Sequence, residues 1–191
     1  STVDFKNNSE PYIIKTKAFY QCKSLFCIKF QENSPLQEIG DYAFAETPIK
    51  SLEIPSKLKE IGNNAFCNCQ NLHKIVFSRN SEIETFGASA FSVTSITKIT
   101  LPQSLTTIKD KAFENCKHLK QVLFSENSML RTIGNSSFSS TSIESIKIPQ
   151  HVTTIGNYAF ADCLHLNNVS FSDCTELQTI GNYAFSSTII N

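Results

Sequence analysis

The 191-residue chain has no charge excess, because Lys plus Arg and Asp plus Glu both number 17. A neutral chain has no general attraction for nucleic acid or for an anionic membrane surface. Arginine is scarce as well, since Arg79 and Arg131 are its only two examples, and guanidinium is the favoured group for contacting phosphates and bases. The composition therefore argues against nucleic acid as a partner.

Long apolar runs are also missing. No segment approaches the roughly 18 consecutive apolar residues that a membrane-spanning helix needs, which predicts no direct membrane insertion by this chain. The opening stretch "STVDFKNNSE" lacks the basic and then apolar pattern of a secretory signal. We therefore expect a mature form or an excised segment.

Motifs of catalysis and metal binding are absent from the sequence too. It has no G-x-S-x-G, P-loop or H-E-x-x-H motif. No His-x-His or Cys-x-x-Cys pair accompanies the histidines, so a zinc site is not expected. The four histidines are His73, His118, His151 and His165. These absences predict a protein that is not an enzyme and that needs no metal or other cofactor.

What the chain does have is a repeat. An apolar residue stands five positions before each repeat Phe and is usually followed by Gly, and the pattern L-x-x-I-x-F comes after the Phe. Ala-Phe or a close variant recurs at alternating steps of 25 and 22 residues, at Phe19, Phe44, Phe66, Phe91, Phe113, Phe138, Phe160 and Phe185. The chain is thus eight units of two alternating kinds, with a double period of 47 residues.

Repeats of this length and pattern are typical of leucine-rich-repeat coils. We predict an α/β-type repeat over 1–191: a right-handed solenoid of about eight coils with parallel strands on the concave face, and mostly turns with short helical turns elsewhere. The repeat phenylalanines should stack inside it, and the Gly should mark a close backbone approach or a positive φ. Because both ends look like partial coils, we expect a fragment of a longer array.

The cassette I-G-x-x-A-F-x-x-C-x-x-L-x-x-I-x-F, present as "IGNNAFCNCQNLHKIVF", resembles the BspA-like family of leucine-rich-repeat surface proteins of mucosal bacteria and protozoan parasites. Its alternation with segments such as "TSIESIKIPQHVTTIG" is similar to the protozoan version. The resemblance implies a cell-surface or extracellular location and an adhesion module that binds host or matrix proteins or neighbouring cells. The family offers no catalytic residues to transfer.

The cysteines follow the repeat rather than a metal or disulfide pattern. Thr cannot replace a thiolate ligand, and equivalent cysteines two coils apart lie roughly 10 Å from each other, whereas a disulfide needs Cα atoms about 5.5 Å apart. Cys and Thr alternate in one position: Cys22, Thr47, Cys69, Thr94, Cys116, Thr141, Cys163 and Thr188. We predict a small, mostly buried core position. The redox states of Cys27, Cys67 and Cys174, which lie outside it, stay open.

Three N-x-S sequons, at Asn7, Asn135 and Asn168, hint at a secretory route but match the number that chance would give. Asn168 is predicted to lie on the exposed strand face, where a glycan would cover part of that face. Whether any of the three is glycosylated stays open.

The exposed positions of the predicted strands are the candidate binding surface. Side chains alternate along a strand, so positions 3 and 5 of L-x-x-I-x-F point outward, with position 2 beside them. The candidate partner-binding residues are Lys29, Lys50, Glu53, His73, Lys74, Val76, Lys98, Lys120, Leu123 and Lys147. The lysine excess favours a protein or acidic-glycan partner guided by charge. The alternative is that lysine only protects and solubilises the strand face.

The leading hypothesis is therefore a non-catalytic protein-binding or adhesion module at the cell surface. A structural spacer or a self-associating array is an alternative. An intracellular scaffold with reduced thiols is another, since the seven cysteines have no pairing scheme. The oligomeric state is left open.

Overall fold

The computed structural model describes residues 1–5, 10–31, 33–172 and 176–190. Asn7 and Cys174 lie outside the described residues. Sixteen short strands follow one another: β1 (Thr2–Phe5), β2 (Tyr12–Ile14), β3 (Cys27–Phe30), β4 (Leu36–Ile39), β5 (Ser51–Ile54), β6 (Glu60–Ile61), β7 (Lys74–Phe77), β8 (Thr85–Phe86), β9 (Lys98–Leu101), β10 (Thr107–Ile108), β11 (Gln121–Phe124), β12 (Thr132–Ile133), β13 (Ser145–Ile148), β14 (Thr154–Ile155), β15 (Asn168–Phe171) and β16 (Thr179–Ile180).

The strands form two rows along a parallel-strand solenoid of about seven turns. The odd-numbered strands, here called the face strands, hold the L-x-x-I-x-F pattern. The even-numbered strands, here called the second-row strands, precede the turns around the repeat Phe residues; this second row and its turns are called the turn side. The predicted leucine-rich-repeat solenoid with parallel strands is confirmed, with about seven turns rather than the predicted eight coils. Its handedness and the concavity of the face stay predictions.

Inward and outward positions alternate along each face strand, and the apolar side chains at the inward positions point into the core. In β9, Ile99 and Leu101 are buried, whereas Lys98 and Thr100 are exposed. A single coil has no opposing layer for its apolar side chains, so stacking on the neighbouring coils is what removes them from water. The predicted inward and outward positions are therefore confirmed.

The repeat phenylalanines form one continuous stack on the turn side. All eight rings lie nearly parallel to their neighbours, with centroids 5.0–5.5 Å apart. That separation is in the range of offset-stacked aromatic pairs, which gain stability beyond the area they bury. Phe86, which replaces the usual Ile of the second row, meets Phe91 edge-on at 5.3 Å. The predicted internal Phe stack is confirmed.

No helix occurs among the described residues, so the predicted short helical turns are wrong. The reason is a left-handed residue on each side of every repeat Phe, such as Asn64 (φ 54°) and Asn68 (φ 58°) around Phe66. A helix needs consecutive right-handed residues. Instead, the N–H of Cys67 closes a tight turn to Asn64, and the N–H of Phe66 donates to Ala90 in the next coil at 2.8 Å.

The recurrence of Gly at one position of the repeat reflects close packing between coils. A Cβ on Gly87 would lie 2.5 Å from the carbonyl carbon of Gly62 in the preceding coil, and no described Gly has a positive φ. Close approach is therefore the reason for Gly, and the positive-φ alternative is wrong. Lys109 stands in this position in one coil, where its N–H···O distance to Phe86 is 3.0 Å rather than the 2.8 Å of Gly87.

Candidate binding face

The two rows of strands differ in continuity. The second-row strands form a single eight-stranded sheet. The face strands split into β1–β3, β5–β7 and β9–β11–β13–β15, and β11 and β13 share only the registered pair Gln121 and Ser145. The face therefore opens at β3/β5, at β7/β9 and, in part, at β11/β13, each time after a strand that ends in Phe.

Each opening coincides with a cleft. The first cleft, between β3 and β5, has a volume of about 280 Å³, and the third, between β11 and β13, about 430 Å³. The middle cleft, between β7 and β9, is the largest of the three at about 880 Å³. This volume falls within the range of ordinary ligand sites.

All ten predicted binding residues are exposed: Lys29, Lys50, Glu53, His73, Lys74, Val76, Lys98, Lys120, Leu123 and Lys147. The structure brings four of them together around the middle cleft, namely His73, Lys74, Val76 and Lys98. Glu53 lines the first cleft, and Leu123 and Lys147 line the third. Lys29, Lys50 and Lys120 lie on the face without lining these clefts. The role of all ten in binding stays a prediction.

The lysines of the face are mostly unpaired. Lys120 lies 3.8 Å from Glu144, a solvent-exposed pair of the kind that contributes little. In the described part of the chain, Lys29, Lys50, Lys74, Lys98 and Lys147 have no carboxylate within salt-bridge distance. The face therefore carries uncompensated positive charge on a chain that is neutral overall.

Arg79 and Met129 are among the lining residues of the middle cleft that sequence reasoning missed. Both lie in the longer connections, outside the strand pattern from which the binding face was predicted. The available signal was their rarity, since the chain has only two arginines and one methionine. Their position beside the face follows from the path of the connection, which the strand pattern does not specify.

The alternating Cys and Thr position is a hydrogen-bonded core position. Cys69 donates its S–H to the Phe44 carbonyl at 3.1 Å, and Thr47 donates its hydroxyl to the same carbonyl at 2.8 Å. The same arrangement recurs in the pairs Thr94–Cys116 and Thr141–Cys163. Burial raises the pKa of Cys69 and of Cys116 to about 11. The predicted structural role is confirmed for these buried positions.

Three other thiols behave differently. Cys22 occupies the same repeat position but is exposed, because no preceding described coil offers it a Phe carbonyl; for Cys22 the prediction of burial is wrong. Cys27 and Cys67 are half-buried free thiols, and burial raises the pKa of Cys67.

A ladder of Asn and Asp side chains on the turn side was not predicted. The side-chain carboxylate of Asp41 accepts a hydrogen bond from the Asn63 N–H at 2.7 Å, and the Asn63 side-chain oxygen accepts one from the Ala88 N–H at 2.8 Å. A second run continues through Asp110, Asn135, Asn157 and Asn182 at 2.7–2.8 Å. The sequence signal was an Asp or Asn directly after the Gly or Lys in six of the eight units.

The ladder bears on one sequon. The side-chain nitrogen of Asn135 donates to Asp110 at 3.1 Å, and its oxygen accepts from the Asn157 N–H. The amide that a glycan would occupy is therefore already part of the contact between coils. Asn168, by contrast, is exposed on β15.

The described residues contain no helix long and apolar enough to cross a membrane. Within the same residues, no three or more His, Cys, Asp and Glu side chains come together in a group that could hold a metal ion.

The two rows of parallel strands and the stacked repeat coils define a leucine-rich-repeat solenoid. A family model described as BspA type leucine rich repeat region (6 copies) matches residues 1–120 and 84–191. The chain therefore belongs to the BspA-type leucine-rich-repeat family, and the predicted family resemblance is confirmed.

Three solved structures of similar fold come from bacteria. A leucine-rich repeat protein from Bacteroides ovatus superposes with a TM-score of 0.84 at 28% identity, covering 100% of this chain and 50% of that one. The pneumococcal vaccine antigen PcpA gives 0.68 at 26%, covering 97% and 47%. The T. pallidum leucine-rich repeat protein gives 0.65 at 26%, covering 88% and 68%. This chain thus spans about half the length of the first two. A search of curated proteins gives no significant match.

Proposed function

We propose that this chain is a non-catalytic protein-binding segment of a cell-surface or secreted protein, and that it adheres to host or matrix proteins through its strand face. The observation that carries the proposal is the row of exposed, unpaired lysines set among exposed apolar side chains on that face. A stiff stack of coils presents such a row without the entropy cost of ordering a loop.

Two further observations support this proposal. The family consists of repeat scaffolds, and stacked repeats create extended binding surfaces. One relative of similar fold is a vaccine antigen, a description that fits a protein exposed to a host. An acidic glycan is the second partner class compatible with the charge of the face.

Adhesion of the purified chain to epithelial cell layers and to immobilised extracellular matrix tests the proposal. The triple variant Lys74→Glu, Lys98→Glu and Lys147→Glu should weaken adhesion, and the wild-type signal should fall as salt rises, because exposed charges are screened. The matched control changes the same number of charges on the turn side, with Lys15→Glu, Lys59→Glu and Lys111→Glu.

Equal adhesion by the wild type and the face variant would contradict a role for the face. Absence of adhesion to every surface would contradict the adhesive function itself and would leave a spacer as the better account. Equal weakening by the face and control variants would show an effect of net charge rather than of the face.

A further inference from the structure

The middle cleft differs from its two neighbours in charge as well as in size. It is lined by three basic side chains, Lys74, Arg79 and Lys98, and none of its described lining residues is Asp or Glu. Among the described residues, the first cleft is lined by one charged residue, Glu53, and the third is lined by Glu126, Lys147 and His151. The same architecture, repeated every two coils, therefore gives one cleft that is strongly basic.

The cations of the middle cleft are not neutralised by the chain itself. Lys74 and Lys98 occupy the same position of neighbouring face strands and line the same cleft, so their like charges repel each other. In the described residues, neither of them nor Arg79 forms a salt bridge. A ligand that brings carboxylates would relieve this repulsion, and the planar guanidinium of Arg79 can hold a carboxylate through two hydrogen bonds.

The cleft also has an apolar component. Val76 is 41% exposed and Met129 is 50% exposed, and both line the cleft. Met is unbranched and polarizable, so it adapts to the shape of an incoming apolar group. The cleft thus combines positive charge with an apolar surface for an aliphatic side chain.

We propose that the middle cleft binds an extended acidic peptide segment of a partner protein, with carboxylates at Lys74, Lys98 and Arg79 and an aliphatic side chain against Val76 and Met129. The strands beside it have four residues each, about 13 Å, so roughly four to six extended peptide residues span it. This inference rests on the proposed function, because the cleft is part of the same face.

A glycan with sulfate or uronate groups shares the negative charge of such a peptide. The described lining residues include neither Trp nor Tyr, the rings that combine a large apolar face with a polar edge. The phenylalanine of the lining, Phe77, is half-buried and stacks on Phe86 at 5.7 Å, so its ring is already engaged. The exposed aliphatic and thioether groups instead match Leu, Ile or Val. The chemistry of the cleft therefore favours the peptide over the glycan.

Fluorescence anisotropy with a labelled peptide, Glu-Leu-Glu-Glu-Leu-Glu, tests the inference. The double variant Lys74→Ala with Lys98→Ala should weaken binding roughly tenfold or more, and Arg79→Gln should weaken it about fivefold, because each removes a charge-assisted contact. The charge-matched control, Lys15→Ala with Lys59→Ala, removes two exposed lysines on the turn side and should change affinity less than about twofold.

Two further probes identify the ligand class. A peptide with Ser in place of Leu should bind several-fold more weakly, since it keeps the charge and loses the apolar contact. A heparin hexasaccharide should bind more weakly than the Leu peptide. Thermal melting of each variant separates loss of the site from loss of the fold, and should change little because the substituted side chains are exposed.

An equal loss of affinity in the charge-matched control, or tighter binding of the hexasaccharide through the same residues, would overturn the peptide site. If the wild type adheres through face lysines but does not bind the Leu peptide at low salt, the inference fails and the proposed function stands. If the peptide binds in the cleft but the triple face variant adheres as well as the wild type, the peptide site stands and the proposed function fails.

Discussion

The turn side and the strand face belong to the same coils but are built differently. On the turn side, the Phe stack and the second-row sheet link each described coil to the next, and the Asn and Asp ladder links most of them. On the face, the strands are linked in smaller groups and separated by clefts that differ in charge. The comparison indicates that the turn side is the more continuous link between coils, which leaves the outward positions of the face free to vary.

The largest expected effect is on the Phe stack. Phe91 is fully buried and stacks on Phe66 and Phe113 at 5.5 and 5.3 Å, so Phe91→Ala should lower the free energy of unfolding by about 3–5 kcal/mol. The control on the face, Lys98→Ala, should change it by less than about 0.5 kcal/mol. Urea denaturation measures both. Similar losses of stability in the two variants would contradict the view that the Phe stack holds the coils together while the outward positions of the face do not.

The next largest effect is expected from the buried thiols of the turn side, which should make the free energy of unfolding fall at alkaline pH. Burial raises the pKa of Cys69 and of Cys116 to about 11, so folding favours the neutral thiols. Their contribution is fully present below the ordinary thiol pKa and is lost as pH rises towards the folded value. At pH 10 the ionisation of each thiol should lower the free energy of unfolding by about 1.5–2 kcal/mol, relative to neutral pH.

The double variant Cys69→Thr with Cys116→Thr is the matched control for the titration, because Thr already occupies this position in alternate coils. Under reducing conditions it should lose less stability between neutral pH and pH 10 than the wild type loses. An identical pH dependence in both proteins would assign the loss to exposed lysines and tyrosines instead.

The smallest expected effect compares two coils of the turn side at the position just before the repeat Phe. Ser137 is buried, and among the described residues its hydroxyl has no hydrogen-bond partner. Ser137→Ala should therefore raise the free energy of unfolding by about 1 kcal/mol. The reciprocal variant Ala112→Ser, in the preceding coil, should lower it by a similar amount. Chemical denaturation would refute the account if both variants moved stability in the same direction.

The parts of the fold that depend on spacing could be predicted from the sequence. The Phe stack and the outward positions of Lys98 and Thr100 follow from the repeat period and from alternation along a strand. The family followed from the cassette itself. For these features each unit gives the same signal, and eight repetitions make the signal strong.

The remaining features depend on backbone geometry and on contacts between coils. The left-handed residues that replace helical turns include Val93 (φ 58°) and Tyr42 (φ 56°), and neither residue type signals that conformation. The splitting of the face depends on how coils of 22 and 25 residues fit together, which a periodic pattern does not reveal. Arg79 reaches the middle cleft from a connection, so the strand pattern could not place it there.

The hydrogen bonds between coils have a mechanical consequence. Each coil bonds to the preceding and the following coil, and these bonds run along the long axis of the solenoid. Tension along that axis would load one interface at a time, rather than shear many bonds together. Each coil that detached would release 22–25 residues, or roughly 80 Å of extended chain. A solenoid of this kind would lengthen in steps under a pulling force, while the coils that had not detached kept their shape.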